Sequence, residues 1–204
     1  MSLIPRWLVI HALLLGCALA GEAPGVGGLD IRHQAGDDPR WAEPAWDDRA
    51  WQSGNIVPTR SGIHWLRYHV NLPPSGLTAA VTAELMPGCA DPIEGPGSAI
   101  NCVYLAAPFA YELYWDGRLI GRSGVVGADR EAEVVGPLDN LTTIPENSRQ
   151  PGEHVIALRM SSYRYNFAAD QVQVGIALGD YAAFLRREMR RPIFPIAGMG
   201  ATLL

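Results

Sequence analysis

The 204-residue chain contains no lysine, so all 16 of its basic residues are arginines, and 21 acidic residues outnumber them. The formal net charge of −5 argues against a nucleic-acid-binding protein, because phosphate binding requires a clustered positive surface. The chain also lacks the G-x-S-x-G, H-E-x-x-H and phosphate-loop motifs, and its histidines are scattered singly. We therefore predict no catalytic residue, no metal site and no cofactor, and expect that the chain is not an enzyme.

The sequence has no strands separated by helix-length amphipathic stretches, which argues against a parallel βαβ sheet. It shows instead short segments of alternating polarity separated by turns, the pattern of an all-β sandwich. About eight such strands predict a jelly-roll β-sandwich over residues 40–179, after a spacer at 21–39. The clearest segments are HWLRYHVNL (64–72), LTAAVTAEL (77–85), CVYLAA (102–107), AYELYW (110–115), RLIG (118–121), HVIALRM (154–160) and VQVGIALG (172–179).

The stretch FAYELYWDGRLIGRSG (109–124) predicts a β-hairpin. Asp116-Gly117 is a favoured pair for a type I′ turn, because both central residues need positive φ. Alternation places Tyr111, Leu113 and Trp115 on one side of the first arm. We expect these three side chains to pack the core of the sandwich rather than to bind a ligand.

The first twenty residues read as a secretory signal peptide: a short basic n-region, an apolar stretch and an A-x-A pattern at residues 18–20. An alternative is a lipoprotein leader, in which Cys17 would carry the lipid anchor. Either reading places the mature domain outside the cytoplasm. In an oxidising compartment Cys89 and Cys102, which bracket a turn-rich loop, are expected to form a disulfide.

The strand pattern ends at Asp180, which can cap a helix over residues 180–191. The thirteen uncharged residues that follow, 192–204, read as the opening of a transmembrane segment, since a span needs about 20 apolar residues. A tail packed on the domain is the alternative. The arginines at 186–191 conflict with the membrane reading, because arginines usually gather on the cytoplasmic side.

The stretch SSYRYNF (161–167) should form a loop at one end of the sandwich. Sugars are held by aromatic faces together with a few fixed polar groups. Four residues of this loop offer two rings, a guanidinium and an amide, and we predict that they bind a ligand: Tyr163, Arg164, Tyr165 and Asn166. The alternative is that one of the tyrosines plugs the end of the core.

Arg67 and Trp46 complete the predicted ligand-binding set. Arg67 lies in mid-strand opposite the leucine face, so it is either paired with Asp47 or Asp48 or exposed in a ligand concavity. Trp46 belongs to WAEPAWDDRAW (41–51), of whose tryptophans one or two are expected to cover the open edge of the sandwich, the alternative being contact with a ligand. The Asp37-Asp38 turn offers oxygen ligands for calcium, but two carboxylates alone do not make a site.

Four groups of residues follow one another along the chain: Asp47, Asp48 and Trp51; Trp65, Leu66 and Arg67; Asp116, Gly117 and Gly121; and Gly152–Arg159. In this order they resemble the galactose-binding-like jelly roll, the fold of the N-terminal sugar-binding domain of glycoside hydrolase family 2 enzymes. The resemblance covers roughly residues 40–185. Asp116 stands where the family usually has asparagine, and the insertion with Cys89 and Cys102 is not part of the pattern.

With a leader before it and an apolar segment after it, the chain is more specifically similar to the extracytoplasmic sensor domains of bacterial seven-transmembrane receptors with diverse intracellular signalling modules. The resemblance implies a periplasmic domain, anchored to the inner membrane, that binds a carbohydrate or another small molecule. Two alternatives stay open: a dimerisation or protein-interaction module, with a homodimer as its product, and an accessory sugar-binding domain of a secreted glycoside hydrolase.

Overall fold

The computed structural model describes residues 30–54, 56–58, 62–72, 100–164 and 171–190. Two short 3₁₀ turns, Pro39–Ala42 and Glu146–Ser148, and one helix, α1 (Tyr181–Arg190), accompany the strands in these ranges. The strands are β1 (Asp30–Ala35), β2 (Gln52–Ser53), β3 (Ile56–Pro58), β4 (Ile63–Leu72), β5 (Cys102–Ala106), β6 (Ala110–Trp115), β7 (Arg118–Ser123), β8 (Asp139–Thr143), β9 (Gly152–Ser161), β10 (Gln171–Gln173) and β11 (Gly175–Gly179).

The strands form an antiparallel sandwich. A six-stranded sheet has the order β2-β1-β4-β9-β6-β7, a three-stranded sheet has the order β11-β5-β8, and β10 pairs with β3. The main core joins residues of both larger sheets, among them Leu66 and Leu158 on one side and Leu105 and Ile176 on the other. The predicted all-β sandwich is confirmed, and its pairing is consistent with a jelly roll.

β4 and β9 form the centre of the six-stranded sheet and pair over their whole length, from Ile63 with Ser161 to Leu72 with Gly152. Leu66 and Tyr68 point into the core, as the alternation predicts. Such alternation predicts a half-buried strand, but this prediction is wrong for β4, because Trp65 and Arg67 on its other face are also fully buried. Residues 39–51, which we call the covering chain, lie over that face, so both sides of the strand are buried.

The hairpin of β6 and β7 has the predicted turn, with φ of 47° at Asp116 and 81° at Gly117. Tyr111, Leu113 and Trp115 are each at most 1% exposed and belong to the main core. The indole Nε1 of Trp115 donates a hydrogen bond to the carbonyl of Ser148 at 2.8 Å. The hairpin is therefore part of the scaffold.

Two elements differ from the sequence prediction. The predicted spacer at 21–39 contains β1, which pairs with β4 over six residues from Asp30 to Ala35. The predicted single strand VQVGIALG is divided at Val174, because β10 pairs with β3 while β11 pairs with β5. The predicted strand at 77–85 lies outside the described residues.

Cys102 is a free, buried thiol, and its Sγ donates to the carbonyl of Gly179 at 3.4 Å. Burial, with the Asp180 carboxylate nearby, raises the pKa of this thiol to about 12. The structure thus lends no support to the predicted Cys89–Cys102 disulfide. Cys89 itself lies outside the described residues, so the pairing stays a prediction.

The predicted helix after Asp180 is confirmed as α1. Among the residues that the structure describes, no helix is both long enough and apolar enough to cross a bilayer. The predicted signal peptide (1–20) and the predicted membrane segment (192–204) lie outside the described residues.

Two buried histidines, His33 on β1 and His64 on β4, should make the stability of the fold depend on pH. Burial lowers the pKa of both rings below the ordinary value of 6.5, and the His33 charge lowers that of His64 further. The unfolded chain therefore takes up protons first as the pH falls below about 6.5, which destabilises the fold by at most about 1.4 kcal/mol per pH unit for each ring.

We accordingly expect urea unfolding to give a smaller free energy at about pH 5.5 than at about pH 7.5. Carboxylates contribute little to the pH dependence of stability between about pH 5.5 and 7.5, since the ordinary pKa of Asp is 3.8. In a His33→Gln/His64→Gln variant the difference between the two pH values should shrink, whatever the variant's absolute stability. An unchanged difference would show that other groups titrate.

Candidate functional site

The candidate site begins where β9 ends, at a turn formed by Tyr163 and Arg164. Both backbone N–H groups donate to one carboxylate: Tyr163 to Oε2 of Glu133 at 3.0 Å and Arg164 to Oε1 at 2.7 Å. Glu133 is only 1% exposed, so these hydrogen bonds replace the water that its charge would otherwise need. The turn is consequently held from beneath by a buried carboxylate.

Glu133 is positioned by residues 124–136, which we call the valine hairpin. Val125 and Val134 exchange backbone hydrogen bonds of 2.7 and 3.0 Å across it. Gly124 has a φ of +68°, and a Cβ there would lie 1.9 Å from the Val134 carbonyl oxygen. Only glycine fits such a close approach, so the sequence itself forces the hairpin to fold back tightly.

Further hydrogen bonds join the valine hairpin to the end of β9. Gly127 N donates to Ser161 Oγ at 3.1 Å. The Arg164 side chain donates through Nε to the Arg130 carbonyl at 2.8 Å, and Arg130 Nη1 donates to the Tyr163 carbonyl at 3.3 Å. The turn is thereby fixed to the hairpin through its side chain as well as its backbone.

The turn presents a ring and a guanidinium. Tyr163 is half-buried, and its hydroxyl lies 3.2 Å from where a Cβ on Gly62 would stand. Arg164 is exposed, and its two terminal nitrogens make no hydrogen bond to the described residues. An aromatic ring beside guanidinium donors is suited to a polar small molecule. Tyr165 and Asn166, the other two predicted loop residues, lie outside the described residues.

Arg67 has the buried environment that was one of its two predicted alternatives. Its Nε donates to Asp48 Oδ2 at 2.6 Å, with the two side chains 0% and 7% exposed. The same carboxylate oxygen lies 2.7 Å from His69 Nε2. The guanidinium also donates to three carbonyls in the covering chain, those of Trp41, Glu43 and Trp46. Arg67 therefore holds that chain onto the sheet.

Trp46 packs in the covering chain, over the face that carries Trp65 and Ala157 of the central strands, and not over the open edge of the sandwich as predicted. Its ring centroid lies 6.5 Å from that of Trp41, and the Arg40 guanidinium lies 5.3 Å from the ring. Ala157 pairs with Arg67, and β9 continues for four residues beyond Ala157, about 13 Å, before the turn with Tyr163 begins. The structure thus divides the predicted ligand-binding residues between two places.

The acidic residues considered for calcium are paired with arginines. Asp37 accepts from Arg159 at 2.6 Å, and Asp38 from Arg40 at 2.6 Å. These hydrogen bonds lower the pKa of both aspartates. No group of three or more potential metal-ligating side chains occurs among the described residues.

A second polar cluster lies on the outer face of the six-stranded sheet and was missed by sequence reasoning. Tyr114 stacks on Trp65, with ring centroids 5.5 Å apart, and its hydroxyl donates to Glu112 at 2.9 Å. Arg159 bridges Glu112 and Asp37. Burial, and then the Glu112 carboxylate, raise the pKa of Tyr114 to about 12. Glu112 and Tyr114 share one face of β6, but Trp65, Arg159 and Asp37 come from other parts of the chain, and no local pattern links them to that face.

No protein-family model matches the chain, and no curated protein matches it. Among solved structures it is similar to a glycosyl hydrolase family 2 member from Bacteroides cellulosilyticus (12% identity, 74% of this chain and 20% of that one, TM-score 0.43). It is also similar to β-glucuronidase 2 from Bacteroides uniformis (14% identity, 76% of this chain and 17% of that one, TM-score 0.46). A β-glycosidase from Bacteroides vulgatus is similar as well (12% identity, 73% of this chain and 19% of that one, TM-score 0.41).

The chain spans about a fifth of the length of these proteins. Because the three TM-scores lie below 0.5, the fold assignment rests on the strand pairing and the two-sided core. That pairing is consistent with the galactose-binding-like domain that the sequence motifs resemble.

Proposed function

We propose that this chain is the extracytoplasmic ligand-binding domain of a bacterial membrane signalling receptor, and that its ligand is a carbohydrate or a similar polar small molecule. The observation that carries the proposal is the turn at Tyr163 and Arg164, which the buried Glu133 carboxylate holds in place. The domain acts by binding, and we assign it no catalytic step.

The turn has the chemistry that sugar recognition needs. The C–H face of a sugar packs against an aromatic ring, while its hydroxyls require donors and acceptors at fixed positions. Tyr163 supplies the ring and Arg164 the donors. Because the backbone of the turn is already ordered, binding loses less conformational entropy than it would on a mobile loop.

The receptor part of the proposal comes from the sequence. A signal peptide at 1–20 directs the domain to the periplasm. The apolar residues 192–204 then anchor it to the inner membrane, and α1 connects the sandwich to that anchor. The motif resemblance to sensor domains of seven-transmembrane receptors supports the same assignment.

The proposal is tested by a thermal-shift screen of the full chain against monosaccharides, oligosaccharides and cell-wall fragments. A ligand at 100 times its Kd stabilises the fold by about 2.7 kcal/mol, which raises Tm by about 5–10 °C. In Tyr163→Ala and Arg164→Ala variants we expect this ligand-induced rise to disappear, while Tm without ligand changes by no more than a few degrees.

The matched control is Arg122→Ala, which removes an exposed arginine from β7 on the six-stranded sheet. It should keep the ligand-induced rise. If Tyr163→Ala strongly lowered Tm in the absence of ligand, the ring would be a core-packing residue and not a ligand-binding one. If the protein is well folded and no compound in the screen raises its Tm, the proposal is contradicted.

One observation favours a second candidate, a self-associating or protein-interaction module. Four apolar side chains in and beside the valine hairpin are 40–55% exposed: Val125, Val134, Val135 and Leu138. Exposed apolar patches mark interaction surfaces in many proteins. This candidate would be favoured if Tm rose with protein concentration while no compound in the ligand screen raised it.

A further inference from the structure

Helix α1 packs against the sandwich through Phe184. Phe184 is 5% exposed and stacks on Tyr104 of β5, with centroids 5.6 Å apart and an interplanar angle of 17°. With Cys102 and Ala177 they form a small apolar cluster on the outer face of the three-stranded sheet. This contact decides which side of α1 faces the protein.

Asn101 fixes the first turn of the helix. Its Oδ1 accepts from the Tyr181 N–H at 2.7 Å, and its Nδ2 donates to Asp180 Oδ2 at 3.0 Å. The first N–H groups of a helix lack intrahelical partners, so this amide serves as a cap supplied from another part of the chain. The direction of α1 is therefore set by the sandwich.

The two residues that follow Phe184 in α1 are exposed, one apolar and one basic. Leu185 is 40% exposed, and the side chain of Arg186 is 62% exposed. Arg190 follows Arg186 by one helical turn. Residues 181–191 hold four arginines and one glutamate, a charge of +3, which leaves −8 on the remainder of a chain whose net charge is −5.

We infer that the outward side of α1 lies on an anionic phospholipid surface. Guanidinium groups bind phosphates, and an apolar residue beside them can enter the headgroup layer, as in interfacial amphipathic helices. The rest of the chain has a net charge of −8 and is repelled by the same surface. We therefore expect the α1 side of the domain to face the bilayer. The inference rests on the proposed function, since it requires a domain held at a membrane.

The experiment is flotation of the full chain with vesicles of phosphatidylcholine alone and with vesicles that contain roughly a third phosphatidylglycerol. The anionic vesicles should bind more tightly, and salt should remove the difference. An arginine near an anionic surface contributes about 1 kcal/mol, so Arg186→Gln/Arg190→Gln should weaken binding to the anionic vesicles about 30-fold. Arg186→Lys/Arg190→Lys should retain it.

Arg49→Gln/Arg118→Gln is the matched control, because both arginines are exposed and neither lies on α1. It removes the same charge and should leave vesicle binding unchanged. The role of α1 would be overturned if the chain bound both kinds of vesicle equally. It would also be overturned if the control variant lost as much vesicle binding as Arg186→Gln/Arg190→Gln. Either result would leave membrane attachment itself intact. Binding to neither would overturn both, and the ligand screen, which contains no lipid, would still test the binding half of the proposed function.

Discussion

Replacing Arg67 by alanine is expected to lower the free energy of unfolding by about 3–5 kcal/mol, the usual cost of breaking a buried ion pair from one side. The substitution leaves the Asp48 carboxylate, 7% exposed, without its guanidinium partner. It also removes the donors to three carbonyls of the covering chain. Urea unfolding followed by tryptophan fluorescence measures both effects, because Trp41, Trp46 and Trp51 lie in or beside that chain.

The matched control is Arg49→Ala. Arg49 pairs with Asp47 at 2.6 Å, but the two side chains are 87% and 60% exposed, so the loss should stay below about 1 kcal/mol. In the double variant Arg67→Ala/Asp48→Ala the unpaired charge is gone, and the loss should be smaller than the sum of the two single losses. Additive losses would mean that Arg67 stabilises the fold through its packing and its hydrogen bonds to the three carbonyls, and not through Asp48.

This result bears on function because Arg67 was predicted as a ligand-binding residue. A side chain that is 0% exposed and bound to four oxygen-bearing groups is occupied by the protein itself. The residue therefore belongs to the frame of the sandwich. The search for a ligand then concentrates on the turn at Tyr163 and Arg164.

The parts of the fold that follow from local chemistry could be predicted from sequence. Asp116 and Gly117 adopt positive φ because the hairpin turn requires it, and these residue types tolerate it. The alternation in β4 and β6 correctly separated Leu66 and Leu113 from their outward neighbours. In each case the signal lies within a few residues of the feature it predicts.

What was missed depends on contacts between distant residues. β1 has the sequence DIRHQA, which lacks a clear apolar face, and it becomes a strand because β4 offers it a free edge. The covering chain hides Trp65 and Arg67, and it is joined to them by contacts over 19 or more residues. Nothing near Glu133 indicates its partners, which lie 30 and 31 residues further along the chain.

Glu133 carries the second large expected effect. Glu133→Ala should lower the free energy of unfolding by about 3 kcal/mol, because a hydrogen bond to a charged group contributes about 1.5–3 kcal/mol and this carboxylate accepts two. Thermal or urea unfolding measures the loss. Glu131→Ala, the matched control, removes an exposed carboxylate two residues away and should cost less than about 0.5 kcal/mol.

The same variant separates the scaffold from the site. Without Glu133 the N–H groups of Tyr163 and Arg164 lose their common acceptor, so the turn must be ordered anew each time a ligand binds. Any ligand found in the screen should then bind more weakly, even where the sandwich is still folded. Glu133→Gln keeps one acceptor oxygen and should fall between the alanine variant and the native chain in both stability and affinity. If Glu133→Ala lowered stability but left affinity unchanged, the ligand would bind elsewhere, and the outer-face cluster of Tyr114, Glu112 and Arg159 would be the next place to examine.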